Sequence, residues 1–344
     1  MRTAVVLFNL GGPDSLGAVQ PFLTNLFDDP AIIRLPRVAR WLLARFIALR
    51  RAPLAREFYR HLGGSSPILA NTEAQAHALE VALGEGFRVF IAMRYWRPFS
   101  AAAAAAVKAW APDRIALLPL YPQFSTTTTA SSVADWDRAA AQVGLTAPTR
   151  LLCCYPDGRG FIEAVAKMLA RALDETAAGE RVRVLFSAHG LPERIVAAGD
   201  PYRWQVERTV TAVLAALGRP GLDAVLCFQS RVGPLAWLKP ATDEEIRRAG
   251  AERRSLIVVP IAFVSEHSET LVELDRDYGR LAEASGVPSY RRLPTAGVDP
   301  SFIAGLACEV RRLAEEGRAI VSNAGGRLCP PEFGGCLCSR ESAA

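Results

Sequence analysis

The stretch VRVLFSAHGLP, residues 182–192, is the part of the chain that decides the fold. It begins with an apolar run typical of a buried parallel strand, and His189 follows that run. A second stretch, SEHSETLVE at residues 265–273, follows the apolar run 256–264 in the same way. Ligands of open α/β sheets bind outside the carboxyl ends of the strands. We therefore expect both segments to place imidazole and carboxylate groups at a binding edge.

Apolar runs alternate with helical segments along the rest of the chain. The predicted strands are 4–10, 88–93, 114–120, 150–154, 182–186, 224–228 and 256–264. The helical segments between them include 100–110, 160–173 and 204–217. This alternation is typical of βαβ units with parallel sheets.

A faint similarity between residues 6–13 and 184–192 favours two related halves. The predicted fold class is α/β, with two similar doubly wound, Rossmann-like domains and a cleft between them. We predict an N-terminal domain over residues 1–160, a C-terminal domain over 161–318 and a cysteine-bearing extension over 319–344.

Composition and charge argue against several classes of function. The chain has 344 residues, half of them hydrophobic, and its net charge of +5 is too small to favour a nucleic-acid partner. The chain carries neither a P-loop nor a G-x-G-x-x-G motif, so nucleotide binding is not indicated. The chain shows neither a signal peptide nor the roughly 18 apolar residues of a membrane-spanning helix. We expect a cytoplasmic protein whose seven cysteines are not structural disulfides.

In residues 31–56, arginines alternate with bulky apolar side chains, and no acidic residue lies between Asp29 and Glu57. The segment is interpreted as a membrane-surface helix or an apolar lip on a cleft. The alternative is an ordinary amphipathic helix packed on a sheet. The absence of acids favours the first interpretation.

Glu269 and Glu273 are four residues apart, so a helix that begins near Glu266 would place both on one face. Two carboxylates near a histidine from another strand end suit proton transfer or transient binding of a divalent metal. The alternative is a solvated helix start, where acids favour the helix dipole. His189 considered alone is equally consistent with a structural histidine.

The end of the chain carries Cys329, Cys336 and Cys338 in a loop rich in glycine and proline. Soft thiolates at this density predict a zinc or iron–sulfur site, and the alternative is a disordered tail with free thiols. Cys227 and Cys308 fall within a predicted strand and a predicted helix, where cysteine is usually an apolar filler. Cys153 or Cys154, at a strand end, is therefore the predicted fourth ligand.

Several motifs, in this order, resemble those of the ferrochelatases, enzymes that insert Fe²⁺ into a porphyrin during haem biosynthesis. The resemblance covers nearly the whole chain. The motifs are LFNLGGP (7–13), GGSSPI (63–68), MRY (93–95), LYPQFS (120–125), SAHGLP (187–192), GDPY (199–202), QSRVGP (229–234), WL (237–238) and EHSETL (266–271).

The resemblance implies insertion of Fe²⁺ into protoporphyrin IX with release of two protons. It implies that His189 and Glu269 bind the metal or accept the pyrrole protons. Glu273, Arg94 and Tyr95 would lie on a proton or metal path. The implied porphyrin-binding residues are Leu10, Tyr59, Ser66, Trp237, Arg50 and Arg51.

The resemblance also implies a [2Fe-2S] cluster on Cys329, Cys336, Cys338 and Cys154, or Cys153 in its place. The position that aligns with the internal ligand of animal members falls near Ala164, and Arg97 stands where animal members tend to have histidine. The implied partners are the porphyrin and Fe²⁺, with peripheral contact to the inner-membrane surface or to haem-pathway enzymes. Residues 31–56 match the apolar lip that meets the membrane.

Other functions stay open at this point. The substrate could instead be coproporphyrin III, which has two more propionates than protoporphyrin. A chelatase for cobalt or nickel, a non-catalytic tetrapyrrole or metal carrier, and an iron–sulfur redox protein are the further alternatives. The presence of both His189 and Glu269 argues against a carrier.

Overall fold

The computed structural model describes residues 1–177, 179–231 and 233–339. Its strands are β1 (Thr3–Asn9), β2 (Phe87–Met93), β3 (Arg114–Pro119), β4 (Thr149–Leu152), β5 (Val182–His189), β6 (Ala224–Gln229), β7 (Ser255–Pro260), β8 (Tyr290–Arg292) and β9 (Ile320–Val321). They form two sheets, with the orders β2-β1-β3-β4-β9 and β6-β5-β7-β8, and every pair within them is parallel.

Helices connect the strands and cover both sheets. They are α1 (Val19–Phe27), α2 (Arg37–His61), α3 (Ile68–Leu83), α4 (Ser100–Trp110), α5 (Thr129–Val143), α6 (Arg159–Asp174), α7 (Glu193–Ala197), α8 (Tyr202–Leu217), α9 (Thr242–Ala251), α10 (Tyr278–Ala284) and α11 (Pro300–Glu315). A π-helix spans Glu269–Asp277, and a short 3₁₀ turn spans Leu337–Ser339.

The predicted fold class is confirmed, because each half of the chain forms a parallel α/β sheet. The chain continues from β1 to β2 on one side and then to β3 on the other, and it continues from β5 to β6 and then to β7 in the same way. The carboxyl ends of β1 and β5 therefore lie at a switch in strand order. All residues of β1 and β7 are buried. Because helices cover both faces of each sheet, these strands are continuously apolar and do not alternate between apolar and polar residues.

Two strand boundaries near the predicted site differ from the sequence prediction. The run 182–186 continues through His189, which is the last residue of β5. The run 256–264 leaves the sheet at Pro260, so residues 261–268 form a connecting turn. The helix expected to start near Glu266 instead begins at Glu269 and is a π-helix.

The two short strands β8 and β9 lie outside the sequence prediction, because two or three residues give no recognisable periodicity. β9 pairs with β4, so the end of the chain adds a strand to the first sheet. One continuous apolar core also includes side chains of both halves, such as Leu7, Phe161 and Phe186. The domain limits at 160 and 318 stay predictions.

No helix in the described ranges combines the length and the apolar character needed to cross a bilayer.

Candidate active site

The Glu269 carboxylate lies between two histidines at the carboxyl edge of the second sheet. Its Oε1 is 3.7 Å from His189 Nε2, and its Oε2 is 3.5 Å from His267 Nε2. His189 is partly exposed, whereas His267 is buried. The structure therefore brings together His189 and Glu269, as expected from the strand ends, and adds His267 to them.

Backbone carbonyls fix which ring nitrogen of each histidine carries a proton. His189 Nδ1 is 2.6 Å from the Gly190 carbonyl, and His267 Nδ1 is 3.0 Å from the Ser265 carbonyl. A carbonyl oxygen only accepts, so each Nδ1 must donate. Each Nε2 is then left to face Glu269, either with a lone pair or with a second proton.

The end of β5 is held in place by neighbouring backbone and by a tyrosine. The Tyr202 hydroxyl donates to the His189 carbonyl at 3.1 Å. Gly190 follows directly, and a Cβ atom built there would lie 2.6 Å from the Gln229 carbonyl oxygen. A side chain at position 190 would therefore push β5 away from β6 and displace His189.

A hydrogen-bonded pocket holds the second carboxylate, Glu273. The Ser230 amide donates to Oε1 at 2.8 Å, and Tyr278 donates to the same atom at 3.1 Å. Gln229 Nε2 lies 3.2 Å from Oε2, and the Ser230 hydroxyl also donates to Oε2. The π-helix thus carries both predicted carboxylates, a geometry often found at functional sites.

The two carboxylates have opposite pKa shifts. Burial raises the pKa of Glu269, but the charge of protonated His189 and the hydrogen bond from His267 outweigh it and lower the pKa to about 2. Burial, followed by the negative charge of Glu269, raises the pKa of Glu273 above its usual range. Pairs of titratable groups whose pKa values are pushed apart often divide the acid and base roles between them.

The Glu266 carboxylate binds an arginine and a backbone amide. It accepts from Arg292 Nη1 at 2.6 Å and from the Thr295 amide at 2.9 Å. Of the three acidic residues in the 265–273 segment, Glu266 therefore anchors the turn to β8 and its following loop.

Arg94 and Tyr95 bind a buried carboxylate in the first half. Arg94 Nη2 and the Tyr95 hydroxyl donate to Asp29 Oδ2 at 2.8 and 2.7 Å, and Ser131 completes the network. A cavity of about 590 Å³ opens beside it, and its lining includes Arg94 and Asp29 rather than His189 or Glu269. The path role of Arg94 and Tyr95 stays a prediction.

The expected porphyrin-binding residues lie on several segments of the fold, and their binding role stays a prediction. Leu10 and Tyr59 pack in one apolar cluster with Tyr95, and the Tyr59 hydroxyl lies 3.5 Å from Ser268 Oγ, next to Glu269. The Ser66 amide donates to the Pro13 carbonyl at 2.8 Å. Trp237 forms a backbone bridge with Pro192, just after His189.

Arg50 and Arg51 lie on α2, the helix that also contributes Tyr59 to this cluster. The Arg50 guanidinium lies over the Phe46 ring at 5.2 Å, and that of Arg51 lies over Phe27 at 5.7 Å. Burial lowers the pKa of Arg51. Whether either arginine meets a propionate stays a prediction.

The helix α2 exposes its large apolar side chains and buries its small ones. Its buried positions are Ala44, Ala48, Ala52 and Tyr59, and it packs against α1. Its exposed apolar residues are Val38, Trp41, Leu42, Leu43, Phe46, Leu49 and Leu54. An ordinary amphipathic helix would have the reverse arrangement, so this face belongs to the class of exposed apolar patches that mark interaction surfaces.

Five cysteines converge beside the first sheet, all of them buried. Cys153 Sγ lies 3.2 Å from Cys338 Sγ and 3.5 Å from Cys154 Sγ. Hydrogen bonds from Cys153 and Cys329 lower the pKa of Cys336 far below its usual range. The predicted candidates, Cys153 or Cys154 and the tail cysteines, therefore share one place in the fold. In the described part of the chain, no three His, Cys, Asp or Glu side chains surround a position for a metal ion.

The remaining two cysteines are separate from this group. Cys227 is buried in β6, as predicted for an apolar filler, whereas Cys308 is exposed on α11. The prediction that Cys308 is a filler was therefore wrong, because its position on α11 faces solvent.

The sequence reasoning did not select His267 as a site residue. Its signal was present, since it lies two residues before Glu269 and is one of four histidines in the chain. The contacts of Tyr202 and Ser230 depend on the three-dimensional meeting of distant segments, which no local pattern shows.

Comparison with known proteins identifies relatives over the whole chain. The family model named Ferrochelatase matches residues 2–313. The chain is 52% identical over 349 residues to the ferrochelatase of Phenylobacterium zucineum (strain HLK1), and the match covers 100% of both chains. It is 49% identical over 347 residues to the ferrochelatase of Caulobacter vibrioides (strain NA1000 / CB15N), with 99% of each covered.

The fold is also similar to that of a solved structure. The sirohydrochlorin chelatase SirB from Bacillus subtilis subspecies spizizenii, in complex with cobalt, superimposes with a TM-score of 0.53 at 15% identity. The match covers 92% of this chain and 97% of that chain. At this identity the similarity concerns the fold alone.

Proposed function

The chain belongs to the ferrochelatase family, and we propose that it inserts Fe²⁺ into protoporphyrin IX to form protohaem. It is an enzyme of haem biosynthesis that inserts a metal into a porphyrin. The observation that carries the proposed role of these residues in metal insertion is the placement of Glu269 between His189 and His267.

The site residues suit the removal of two pyrrole protons and the delivery of a dication. In the neutral form of His189, the Nδ1 proton is donated to the Gly190 carbonyl and Nε2 presents a lone pair. It can accept a pyrrole proton or bind Fe²⁺, and the Glu269 carboxylate stabilises either positive charge. Fe²⁺ is here a substrate of the reaction.

Glu273 supplies the next acceptor for a proton leaving the site. Its pKa is raised, so it binds a proton more readily than Glu269 does. Gln229 Nε2 lies within 3.4 Å of the Glu269 carbonyl and 3.2 Å of Glu273 Oε2, which ties the two positions together. We assign Glu273 to the outward proton path.

The choice of protoporphyrin rests on the apolar surface that leads to the site. Leu10 and Tyr59 would contact the ring face, Ser66 and Trp237 its edges, and Arg50 and Arg51 its propionates. The apolar side chains of α2 suit the vinyl-bearing porphyrin better than coproporphyrin III, with its two extra propionates.

Parallel assays with both porphyrins and Fe²⁺ under anaerobic conditions test the substrate. We expect haem formation to be faster with protoporphyrin IX. Faster turnover of coproporphyrin III would reassign the substrate, and binding of either porphyrin without turnover would favour a carrier.

We further propose that the cysteine group holds a [2Fe-2S] cluster. Four thiolate ligands are what such a cluster requires, and this group offers Cys329, Cys336 and Cys338 with Cys153 or Cys154. Contact with Cys338 favours Cys153, whereas Gln205 Nε2 donates to both Cys154 and Cys329, at 3.4 and 3.0 Å. When bound, the cluster would link the tail to the first sheet.

The exposed apolar face of α2 supports peripheral contact with a membrane surface. Arg45 and Arg50 lie over the Trp41 and Phe46 rings at 4.9 and 5.2 Å. Aromatic side chains interleaved with arginines are typical of helices that lie in the interface of anionic bilayers. An apolar porphyrin could then pass between the bilayer and the cleft.

A further inference from the structure

Polar residues of α3 contact the turn that precedes the π-helix and the end of β1. Asn71 and Gln75 bind the turn 264–266 directly, and Thr72 binds Asn9 at the end of β1. The spacing of 71, 72 and 75 places these side chains on one side of the helix. A helix of the first half therefore contacts the segment of the second half that leads to Glu269.

Gln75 uses its whole side-chain amide in this contact. Its Nε2 donates to the Val264 and Gly297 carbonyls at 2.8 and 3.0 Å, and its Oε1 accepts from Ser265 Oγ at 2.7 Å. The residue is 1% exposed. Loss of this amide would leave the Gly297 carbonyl and the buried Ser265 hydroxyl without this partner, whereas the Val264 carbonyl would keep the Gly297 amide as a donor.

The contact continues to the catalytic group through short steps. The Ser265 carbonyl, next to the atoms held by Gln75, accepts from His267 Nδ1 at 3.0 Å. His267 Nε2 in turn lies 3.5 Å from Glu269. Asn71 Nδ2 donates to the Glu266 carbonyl at 3.0 Å, one residue before His267. Movement of the turn would therefore move both His267 and Glu269.

We propose that Gln75 and Asn71 are positioning residues, which hold the turn 264–266 so that Glu269 stays beside His189. They act through the turn and do not touch the reacting atoms. The inference rests on the proposed catalytic role of His189 and Glu269. Because α3 belongs to the first half, the two residues also set how that half stands relative to the catalytic carboxylate.

Gln123 offers a matched control. It is 2% exposed, and its Nε2 donates to Thr209 Oγ1 and to the Ile261 carbonyl at 2.9 and 3.2 Å. It therefore also joins the two halves through a buried amide, but it stops short of the turn 264–266. A purely structural role of a buried glutamine should give the same result at positions 75 and 123.

The test compares steady-state metal insertion by Gln75→Met, Asn71→Ala and Gln123→Leu with that of wild type. We expect kcat to fall about 10- to 100-fold in the first two variants, because small displacements of catalytic groups cost this much. The porphyrin KM should stay within about 2-fold, since the ring surface is intact. Gln123→Leu should keep a wild-type kcat at a similarly lowered melting temperature.

Asn71→Ala decides the matter if Gln75→Met fails to fold, because Asn71 is only partly buried and contributes a single bond. Wild-type kcat in the variants that fold, or an equal loss in Gln123→Leu, would overturn the positioning role. His189→Ala and Glu269→Gln are assayed beside them. Full activity in those two would instead overturn the proposed chemistry, and the positioning role with it.

Discussion

At the scale of single residues, neighbouring charges give chemically identical side chains of the site different pKa values. Glu269 and Glu273 are on the same π-helix, yet one has a lowered pKa and the other a raised one. The difference comes from their partners, since two histidines face Glu269 while Glu273 faces Glu269 and neutral donors. The pH dependence of stability should report this difference.

We compare Glu273→Gln with the double variant Glu269→Gln/Glu273→Gln, because this background removes the coupling between the two acids. The folded pKa of Glu269, about 2, lies below an unfolded value of about 4.3. Its stabilisation is therefore present above pH 4.3 and is lost as the pH falls toward 2. Between pH 5 and pH 3, the single variant should lose about 1 to 2 kcal/mol more unfolding free energy in urea. An equal loss of unfolding free energy in the single and the double variant would contradict the pairing of Glu269 with the two histidines.

His267 gives a second prediction at this scale. His267→Ala removes one of the two partners of Glu269, so we expect kcat for metal insertion to fall about 10²-fold or more. His77→Ala is the control, since His77 is an exposed residue of α3. An unchanged kcat in His267→Ala would show that His189 alone orients the carboxylate.

At the scale of elements, three segments carry features beyond ordinary packing: the π-helix, α2 and the cysteine-bearing tail. The tail folds back onto the start of α8, where the Phe333 and Trp204 rings lie 6.0 Å apart and the Gly335 amide donates to the Gly199 carbonyl. Tyr202, in the first turn of α8, in turn binds the His189 carbonyl. The tail is therefore in contact with the helix that supports the active site.

If the cysteines hold a cluster, loss of Cys336 should release the cysteine-bearing tail from α8 and the first sheet. Cys336→Ser is expected to lose the visible iron–sulfur absorption and to melt at a lower temperature, because ligation energy is also folding energy. Cys308→Ser, at an exposed cysteine away from the group, should keep both properties. A Cys336→Ser protein with wild-type colour, iron content and melting temperature would refute the cluster proposal.

The apolar face of α2 should govern attachment to bilayers. Replacing Trp41, Leu42 and Phe46 together by serine removes exposed apolar area and should weaken binding to anionic phospholipid vesicles by at least 10-fold in sedimentation assays. Replacing the exposed Val81 of α3 by serine serves as the control. Equal binding by both variants would assign this face to another partner.

At the scale of the whole molecule, the sequence predicted what depends on local pattern. The strand β1 and the helix α4 lie where their apolar runs predict them. For β1, burial on both faces of the sheet leaves a strong signal. The return of β9 to the first sheet and the π-helical geometry around Glu269 have no such signal. The position of β9 depends on pairing with β4, which is far away in the chain.

The site residues, too, were predicted only where a local sequence pattern indicated them. The strand ends predicted that His189 and Glu269 would meet, and their side chains lie 3.7 Å apart. The partnership of Glu269 with His267, and the network that ties Arg94 and Tyr95 to Asp29, required the folded chain. Buried polar networks join residues whose sequence separation carries no periodic pattern, so local reasoning does not find them.

The central claim is that His189 and Glu269 together insert the metal. The most direct test is anaerobic haem formation from Fe²⁺ and protoporphyrin IX by wild type, His189→Ala and Glu269→Gln, with porphyrin binding measured in parallel. We predict turnover by wild type and a loss of at least about 10²-fold in both variants, with porphyrin binding retained. Wild-type turnover in either variant would contradict the claim.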